Sequence, residues 1–433
     1  MSDHPAPRYK QADHPRLKMN EWRPDDGAER IGDSILMSKS VTNCYLVTSE
    51  AGDIVINTGL AGHGPRHRQR FERSLNRPLT VRKVIFTQSH VDHAGGWQAF
   101  DDPDVEFIGQ RNFEAIWAER EALAPFFAQR NRRVIRAILD KMARESKGPQ
   151  PSATPMPPMT IRYADDYSFD LGGRRFELIA TPSGESLDSA CVWLPLEGTL
   201  FTGNFLSAVL GTMPNFTTLR GDRQRSVPGF LRELQRLIDL DAELLVTGHG
   251  DPLAGRAAVR MTLQKVRDAV RFMHDETVRR MAAGESLQQI LNAVELPSDL
   301  RLSRLGRGPT RWYVRSIWEE YTGWFRHDLT SELYASPSVS IGPILAEMLG
   351  TPDALAAKAE DLRAQGALEK ALHMIELAIA AASESPTVRG TEERILVDLI
   401  NATGGEGFDE IGWLESKLLE AREVTERKSG NRS

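Results

Sequence analysis

The stretch Val81–Gly96, VRKVIFTQSHVDHAGG, decides the fold of this chain. It begins with a run rich in β-branched and apolar residues, which is typical of a buried strand. It continues into a turn that carries His90, Asp92 and His93. Imidazole nitrogen and carboxylate oxygen are both zinc ligands, so three such groups after a strand indicate a metal site. A rigid sheet commonly presents functional groups on loops of this kind.

Other apolar runs also end in polar clusters, which predicts further strands whose ends contribute to the same site. The predicted strands cover residues 40–48, 53–57, 81–87, 106–109, 174–180, 190–194, 199–202 and 243–247. The clusters at their ends include TPSGES (181–186), LFTGN (200–204) and LLVTGHG (244–250). Because strand patterns alternate with helical ones, the sequence predicts an α/β core.

The sequence changes character near Gly255, after which amphipathic helical patterns replace strand patterns. Helices are predicted over residues 257–283, 287–294, 311–325, 354–365, 368–382 and 411–427. We therefore predict a first domain over residues 1–255 and an all-α domain over residues 256–433. Residues 111–147 form a predicted helical insertion in the first domain. The pattern fits either a helical pair that covers the sheet or a lid over the site.

Composition limits the classes of function. The 433 residues suggest two or three domains, and 54 basic against 60 acidic residues give a net charge of −6. This balance argues against a nucleic-acid partner. The two cysteines exclude a disulfide framework and a Cys-rich zinc module, so a metal site must use His, carboxylate and amide groups. The sequence shows neither a signal peptide nor a membrane span, and we expect a cytoplasmic protein that acts on a small molecule.

These motifs resemble the metallo-β-lactamase superfamily over about residues 30–255, with H-x-H-x-D-H as the family pattern. The resemblance implies an αββα sandwich. A narrower resemblance, to the alkylsulfatase branch, lies in Glu185 of TPSGES, in MHDETVRRMAAGESLQQILNAVELP (273–297) and in EEYTGW (319–324). It implies an all-α dimerisation domain, with a tetratricopeptide-like hairpin near residues 354–384, and hence a homodimer. Many members of the branch carry a C-terminal sterol-carrier-like domain, which we expect this chain to lack.

The alkylsulfatase resemblance also implies a two-zinc site that cleaves alkyl sulfate esters. The first metal would be held by Gln88, His90, Glu185 and Asn204, and the second by Asp92, His93, His249 and Asn204. A metal-bound water would be the nucleophile, oriented by Asp92. In NFTTLRG (215–221), Asn215 and Arg220 would hold the sulfate group.

Three positions depart from the family pattern, and each replaces a charged group or a strong ligand with an amide. Gln88 stands in place of the first His, Asn204 in place of a bridging acid, and Asn57 in place of a common Asp. We therefore expect one tightly bound zinc at Asp92, His93 and His249 and a weaker second one. Iron and manganese are alternative metals.

The activity leaves alternatives open. A sulfate ester hydrolase is the first choice, and hydrolysis of another ester, a thioester or a phosphoester on the same fold is a rival. A non-haem iron redox enzyme is a second rival, since His and carboxylate ligands also suit iron. A degenerate dimer without catalytic activity is the third.

Overall fold

A computed structural model describes residues 27–145, 154–207, 210–217, 219, 221–302, 308–325, 327 and 329–430. The described residues form two compact units. The first, here called the sheet unit, comprises residues up to 128 together with 154–321. The second, the helical unit, comprises residues 129–145 and 322–430.

The sheet unit contains two sheets that lie face to face. The first follows the chain order of its described strands, β1 (Glu29–Arg30), β2 (Ile35–Ser38), β3 (Cys44–Ser49), β4 (Gly52–Ile56), β5 (Val81–Ile85), β6 (Glu106–Gln110) and β7 (Ile161–Tyr163). Strands β1 to β4 pair antiparallel and β4 to β7 pair parallel. This sheet carries the strand predicted at the start of Val81–Gly96.

The second sheet has the reverse order of its described strands, β13 (Leu253–Ala254), β12 (Leu244–Val246), β11 (Thr199–Phe201), β10 (Ala190–Leu194), β9 (Arg174–Ala180) and β8 (Asp166–Leu171). Its pairs are antiparallel except for β11 with β12. Because β11 and β12 are parallel, the polar clusters that follow them emerge at the same edge.

Helices cover the outer faces of both sheets. Those that begin in the sheet unit are α1 (Gly64–Leu75), α2 (Val91–Ala94), α3 (Phe113–Ala122), α4 (Ala124–Glu145), α5 (Val227–Asp239), α6 (Arg256–Ala282), α7 (Leu287–Ala293) and α8 (Thr310–Thr322). Phe71 of α1 is buried with residues of the first sheet, and Phe230 of α5 with residues of the second. A third apolar core, which includes Ile56 and Val192, lies between the sheets. The predicted αββα sandwich is confirmed.

The helical unit is built from α9 (Gly342–Leu349), α10 (Pro352–Ala364), α11 (Leu368–Ala381), α12 (Pro386–Ala402) and α13 (Phe408–Gly430). Alanines such as Ala356 and Ala371 are fully buried in its core, and their small side chains let helices approach closely. The predicted all-α character is confirmed. Helices α10 and α11 occupy the predicted hairpin, whose likeness to a tetratricopeptide stays a prediction. Among the described helices, none is both long and apolar enough to cross a membrane.

The helices that follow Gly255 do not all belong to the helical unit. Val259 and Val266 of α6 and Ile317 of α8 are buried in one core with Leu245 of the second sheet. By contacts, the compact units separate after Tyr321. The division into domains at residue 255 stays a prediction. The insertion at 111–147 forms α3 and α4, and residues 146 and 147 lie outside the described residues.

Candidate metal centre

The turn after β5 places the predicted metal ligands at the edge of the first sheet. Strands β4, β5 and β6 are parallel, so their carboxyl ends meet there. His90 has extended backbone angles and precedes α2, whose single turn carries Asp92 and His93. The helical turn begins directly after His90, so His90, Asp92 and His93 all stay within a few residues of the strand end.

Asn57, which follows β4, fixes the start of this turn. Its backbone is left-handed, with a φ of 58°, a conformation that Asn tolerates better than most residues. Its side-chain oxygen accepts hydrogen bonds from the Thr87 backbone N–H at 3.0 Å and from the Thr87 hydroxyl at 3.1 Å. The amide at position 57 thus supports the backbone that leads into the motif.

Asp92, His93 and His249 converge. Their ligand atoms all lie within 4.8 Å of one another, which is the geometry of a site for one metal ion. Asp92 Oδ2 lies 3.8 Å from His93 Nε2 and 3.7 Å from His249 Nε2. His249 arrives from the loop after β12, so the two sheets each contribute to this group, here called the Asp92 group.

Neighbouring atoms orient two of these side chains. The Thr42 hydroxyl donates to Asp92 Oδ2 at 2.8 Å. His249 Nδ1 lies 2.5 Å from the Val41 carbonyl oxygen. Because a carbonyl can only accept, Nδ1 carries the proton and leaves Nε2 as the ligand atom.

The charge state of Asp92 suits a cation site. Burial alone would raise its pKa, but the neighbouring His93, His249 and His90 and the hydrogen bond from Thr42 outweigh burial and lower the pKa below its usual range. Asp92 is therefore ionised at neutral pH. One carboxylate and two imidazoles that leave a coordination position open are a donor set that fits a divalent metal such as zinc.

The other predicted ligands form a second buried group together with Asn215, which is predicted to bind the substrate. We call it the amide group: Gln88, His90, Glu185, Asn204 and Asn215. Gln88 Nε2 lies 2.8 Å from His90 Nδ1 and donates to Glu185 Oε2 at 3.3 Å. Asn204 Nδ2 donates to Glu185 Oε2 at 2.6 Å, and Asn215 Nδ2 to Glu185 Oε1 at 3.4 Å. Three neutral amides thus surround one carboxylate.

Asn204 is the residue of the amide group that lies on the side of His93. A Cβ added to Gly248 would meet both Asn204 Oδ1 at 2.4 Å and His93 Cε1 at 2.5 Å. The amide nitrogen of Asn204 thus faces Glu185, and its oxygen lies on the side of His93. This oxygen is buried and accepts no hydrogen bond from the described residues.

The neutral charge of Asn204 bears on the number of metals. Two dications 4 Å apart repel by roughly 16 kcal/mol at an effective dielectric constant of 20. A bridging carboxylate offsets much of this repulsion, whereas an amide carries no net charge to do so. The residues of the Asp92 group fit a divalent metal, whereas the amide at position 204 supplies no bridging carboxylate to offset the repulsion between two dications.

The sequence predicts one arginine for the site, and the structure adds a different one. Arg220, predicted to hold the sulfate group, lies outside the described residues. Arg225 is not among the residues that the sequence predicts for the site. It is buried and donates to the backbone oxygens of Glu185 at 2.7 Å and Asn215 at 2.5 Å, so it fixes the loops that carry both.

Asp188 also supports the site, although the sequence does not predict it. Its carboxylate accepts from the Ser89 backbone N–H at 2.6 Å and from the Ser186 hydroxyl. It therefore ties the loop of the histidine motif to the loop of Glu185. No spacing in the sequence distinguishes this residue from an ordinary loop aspartate.

A cavity of about 260 Å³ is lined in part by the loop residues that follow Glu185. Its wall includes Ser186 and Leu187, which directly follow Glu185 in sequence, and Arg225. The predicted insertion contributes mainly apolar side chains to it, namely Ile116, Leu123, Phe126 and Phe127. Arg120 and Arg223 at this cavity are paired with Asp222 at 3.3 Å and with Glu119 at 2.6 Å. The cavity thus offers an apolar wall with neutralised charges.

Comparison with protein families agrees with the two kinds of structure in the chain. Residues 38–249 match the metallo-beta-lactamase superfamily, and residues 286–405 match the alkyl sulfatase dimerisation family. The chain pairs a metallo-beta-lactamase domain with an alkylsulfatase dimerisation domain. The predicted family resemblance is therefore confirmed.

Individual relatives share these domains. A linear primary-alkylsulfatase from Pseudomonas sp. is 24% identical over 410 residues, which cover 89% of this chain and 74% of the relative. The alkyl/aryl-sulfatase BDS1 of Saccharomyces cerevisiae is 21% identical over 77% of this chain and 54% of its own length. The solved structure of the inverting sec-alkylsulfatase Pisa1 from Pseudomonas sp. superposes with a TM-score of 0.78 at 19% identity.

The coverage of these relatives is partial. The chain is matched over 91% of its length by the Pisa1 structure but spans 65% of that protein, and it spans about half of the yeast relative. The likeness to Pisa1 therefore establishes the fold of the metallo-beta-lactamase and dimerisation domains. The names of these relatives agree with the predicted hydrolytic class.

Proposed function

We propose that this chain is a metal-dependent hydrolase that cleaves an ester with an anionic head group, an alkyl sulfate being the first candidate. The observation that carries the proposal is the convergence of Asp92, His93 and His249 at the meeting edge of the two sheets. The alkylsulfatase names of the relatives support the same reaction class. The family of the C-terminal domain supports a homodimer.

The residues of the site divide the work of an ester hydrolysis. A divalent cation held by the Asp92 group would supply an activated water and a Lewis acid for an ester oxygen. The carboxylate of Asp92, held by Thr42, would orient the attacking water as well as ligate. Arg220 and Asn215 are proposed to hold the anionic head group. Asn215 Nδ2 is 3.4 Å from Glu185 Oε1, so it already lies at the amide group.

The apolar cavity supports an alkyl group on the substrate. Its wall begins at Ser186, one residue after Glu185, and continues along Phe126 and Phe127. Aromatic side chains of this size stabilise a bound alkyl chain through the apolar area that they bury. The same cavity supports the interpretation that the insertion forms part of the substrate site.

The proposal is tested with zinc-loaded protein and a set of dodecyl esters that differ only in the head group: sulfate, phosphate, acetate and a thioester. We expect hydrolysis of dodecyl sulfate, measured as released sulfate. Asp92→Asn and His249→Ala should each lower the rate at least about 100-fold, since both remove a ligand. His274→Ala, which changes a histidine hydrogen-bonded to Tyr321, is the control.

Other outcomes select the rivals. Faster hydrolysis of the phosphate or acetate ester would identify that group, rather than sulfate, as the head group of the substrate. Iron in excess of zinc with a visible absorption band would favour a redox role. No turnover of any ester by metal-loaded protein, with no difference between native protein and His249→Ala, would contradict the proposal and favour the non-catalytic dimer.

A further inference from the structure

We propose that Glu185 is held by hydrogen bonds rather than by a metal, so that the chain binds a single divalent cation, at the Asp92 group. The inference rests on the metal site of the proposed function but does not require that an ester be hydrolysed. It concerns Gln88, His90 and Asn204, which the family resemblance assigns to the first of two metals, with Asn204 shared by both.

The orientation of the amides is the first argument. An ionised carboxylate can only accept hydrogen bonds, so the three amides that touch Glu185 must present their nitrogens to it. Asn204 Nδ2 lies 2.6 Å and Gln88 Nε2 3.3 Å from the same oxygen, Glu185 Oε2. An amide that ligates a cation must present its oxygen instead. These two amides are therefore oriented as donors to the carboxylate.

The second argument is the tautomer of His90. Gln88 Nε2 lies 2.8 Å from His90 Nδ1, and an amide nitrogen can only donate. The lone pair of His90 Nδ1 is therefore used by Gln88. Glu185 fixes which way the Gln88 amide points, and Gln88 in turn fixes the proton of His90. The three side chains form one connected arrangement, with each orientation set by its neighbour.

Burial and support make this arrangement stable. Gln88 is 1%, Glu185 2% and Asn204 4% exposed. Asn215 adds a third amide to Glu185, and Arg225 donates to the backbone oxygens of both residues. A buried carboxylate normally requires a cation or several hydrogen-bond donors. Here the amide donors meet that need for Glu185.

The experiment is a count of bound metal. The full chain is stripped with a chelator, titrated with Zn²⁺ by calorimetry and analysed by mass spectrometry after desalting. We expect one tightly bound equivalent of zinc per chain. In protein loaded with Mn²⁺ instead, we expect an electron paramagnetic resonance spectrum without magnetic coupling between two ions. A second bound equivalent, whether tight or weak, or a coupled spectrum would overturn the proposal.

Variants separate the two groups. Glu185→Gln should leave one equivalent bound, whereas Asp92→Asn should leave none. A loss of zinc in Glu185→Gln, with Asp92→Asn unchanged, would place the metal at the amide group instead. His274→Ala is again the control, and thermal unfolding confirms that each variant is folded.

A variant designed to gain a second metal tests whether the amides of Gln88 and Asn204 are the reason for the single site. The double variant Gln88→His with Asn204→Asp restores the charge and the ligand that the family pattern contains, and we expect it to bind a second equivalent. If the double variant folds and still binds one equivalent of zinc, the two amides are not the reason for the single site. If it does not fold, the native count and Glu185→Gln still decide. Because the readout is bound metal, a failure of ester hydrolysis is distinguishable from a failure of this inference.

Discussion

Gly248 occupies a position where a side chain would press on the metal centre. A Cβ there would lie 2.4 Å from Asn204 Oδ1 and 2.5 Å from His93 Cε1. Gly248→Ala should therefore displace His93 or Asn204 and weaken zinc binding by about 10- to 100-fold, as expected when the support of a metal ligand is changed. Competition with a chelating dye measures the affinity.

A matched substitution controls for the loss of glycine. At Gly62 an added Cβ would meet no atom within 4 Å. Gly62→Ala should leave the zinc affinity unchanged. If Gly248→Ala binds zinc as tightly as native protein, the close approach of Asn204 and His93 at this point does not hold in solution.

At the level of single residues, sequence proximity decides what can be predicted. His90, Asp92 and His93 are predictable because three metal-binding types stand close together after a strand. Asp188 is not, because its function is to accept from the Ser89 backbone 99 positions away. Gly248 does not stand out in the sequence either, since its role depends on which side chains the fold brings to it.

At the level of elements, the insertion offers a test of substrate class. Phe127 of α4 lines the cavity that also includes Ser186 and Leu187, with the Arg120 guanidinium 5.8 Å from its ring centre. Phe127→Ala removes apolar wall, so KM for dodecyl sulfate should rise about tenfold while kcat changes little. A short-chain sulfate, which does not reach this wall, should be unaffected.

The control for this substitution is an apolar residue far from the cavity. Leu196, in the turn after β10, is 71% exposed, and Leu196→Ala should not change KM for either substrate. Equal losses for long and short esters in Phe127→Ala would indicate a disturbed site rather than a lost alkyl contact. Steady-state kinetics with a chain-length series distinguishes the two results.

Helices with a strongly periodic pattern of apolar residues are predictable from the sequence, whereas helices with a weak pattern are not. The long helix α6 (Arg256–Ala282) matches the prediction over 257–283, whereas no helix is predicted where α12 (Pro386–Ala402) forms. Gly390 and β-branched residues such as Thr387 and Thr391 lower the intrinsic helix preference of α12. It forms a helix because its apolar face, with Ile395, is buried against the rest of the helical unit. Tertiary packing of this kind cannot be seen in a local pattern.

At the level of the molecule, composition and packing give different divisions of the chain. The change from strand to helical patterns near Gly255 marks where the second sheet ends, and β13 does end at Ala254. Packing continues past that point, because α6 and α8 bury apolar faces in the core of the second sheet. A local pattern reports the type of element, whereas the partner of an element depends on contacts distant in sequence. The boundary of a compact unit is therefore harder to predict than its class.

The pH dependence of stability belongs to the same scale, and Glu415 of α13 provides a test of it. Its side chain is 4% exposed, and burial raises its pKa to about 8. In the unfolded chain the carboxyl ionises with the ordinary glutamate pKa of 4.5. Between these two values the unfolded state releases a proton that the folded state keeps, so the free energy of unfolding falls as pH rises from about 4.5 to about 8.

Glu415→Gln removes this proton release while keeping the shape of the side chain. The free energy of unfolding of the variant, taken relative to that of the native protein, should rise from pH 5 to pH 9. The size of the pKa change limits this rise to at most about 5 kcal/mol. Urea unfolding at both pH values, followed by circular dichroism, measures the difference. Glu376→Gln, at a side chain that is 48% exposed, should show no such gain. An equal response of the two variants would mean that Glu415 ionises in the folded helical unit as it does in water.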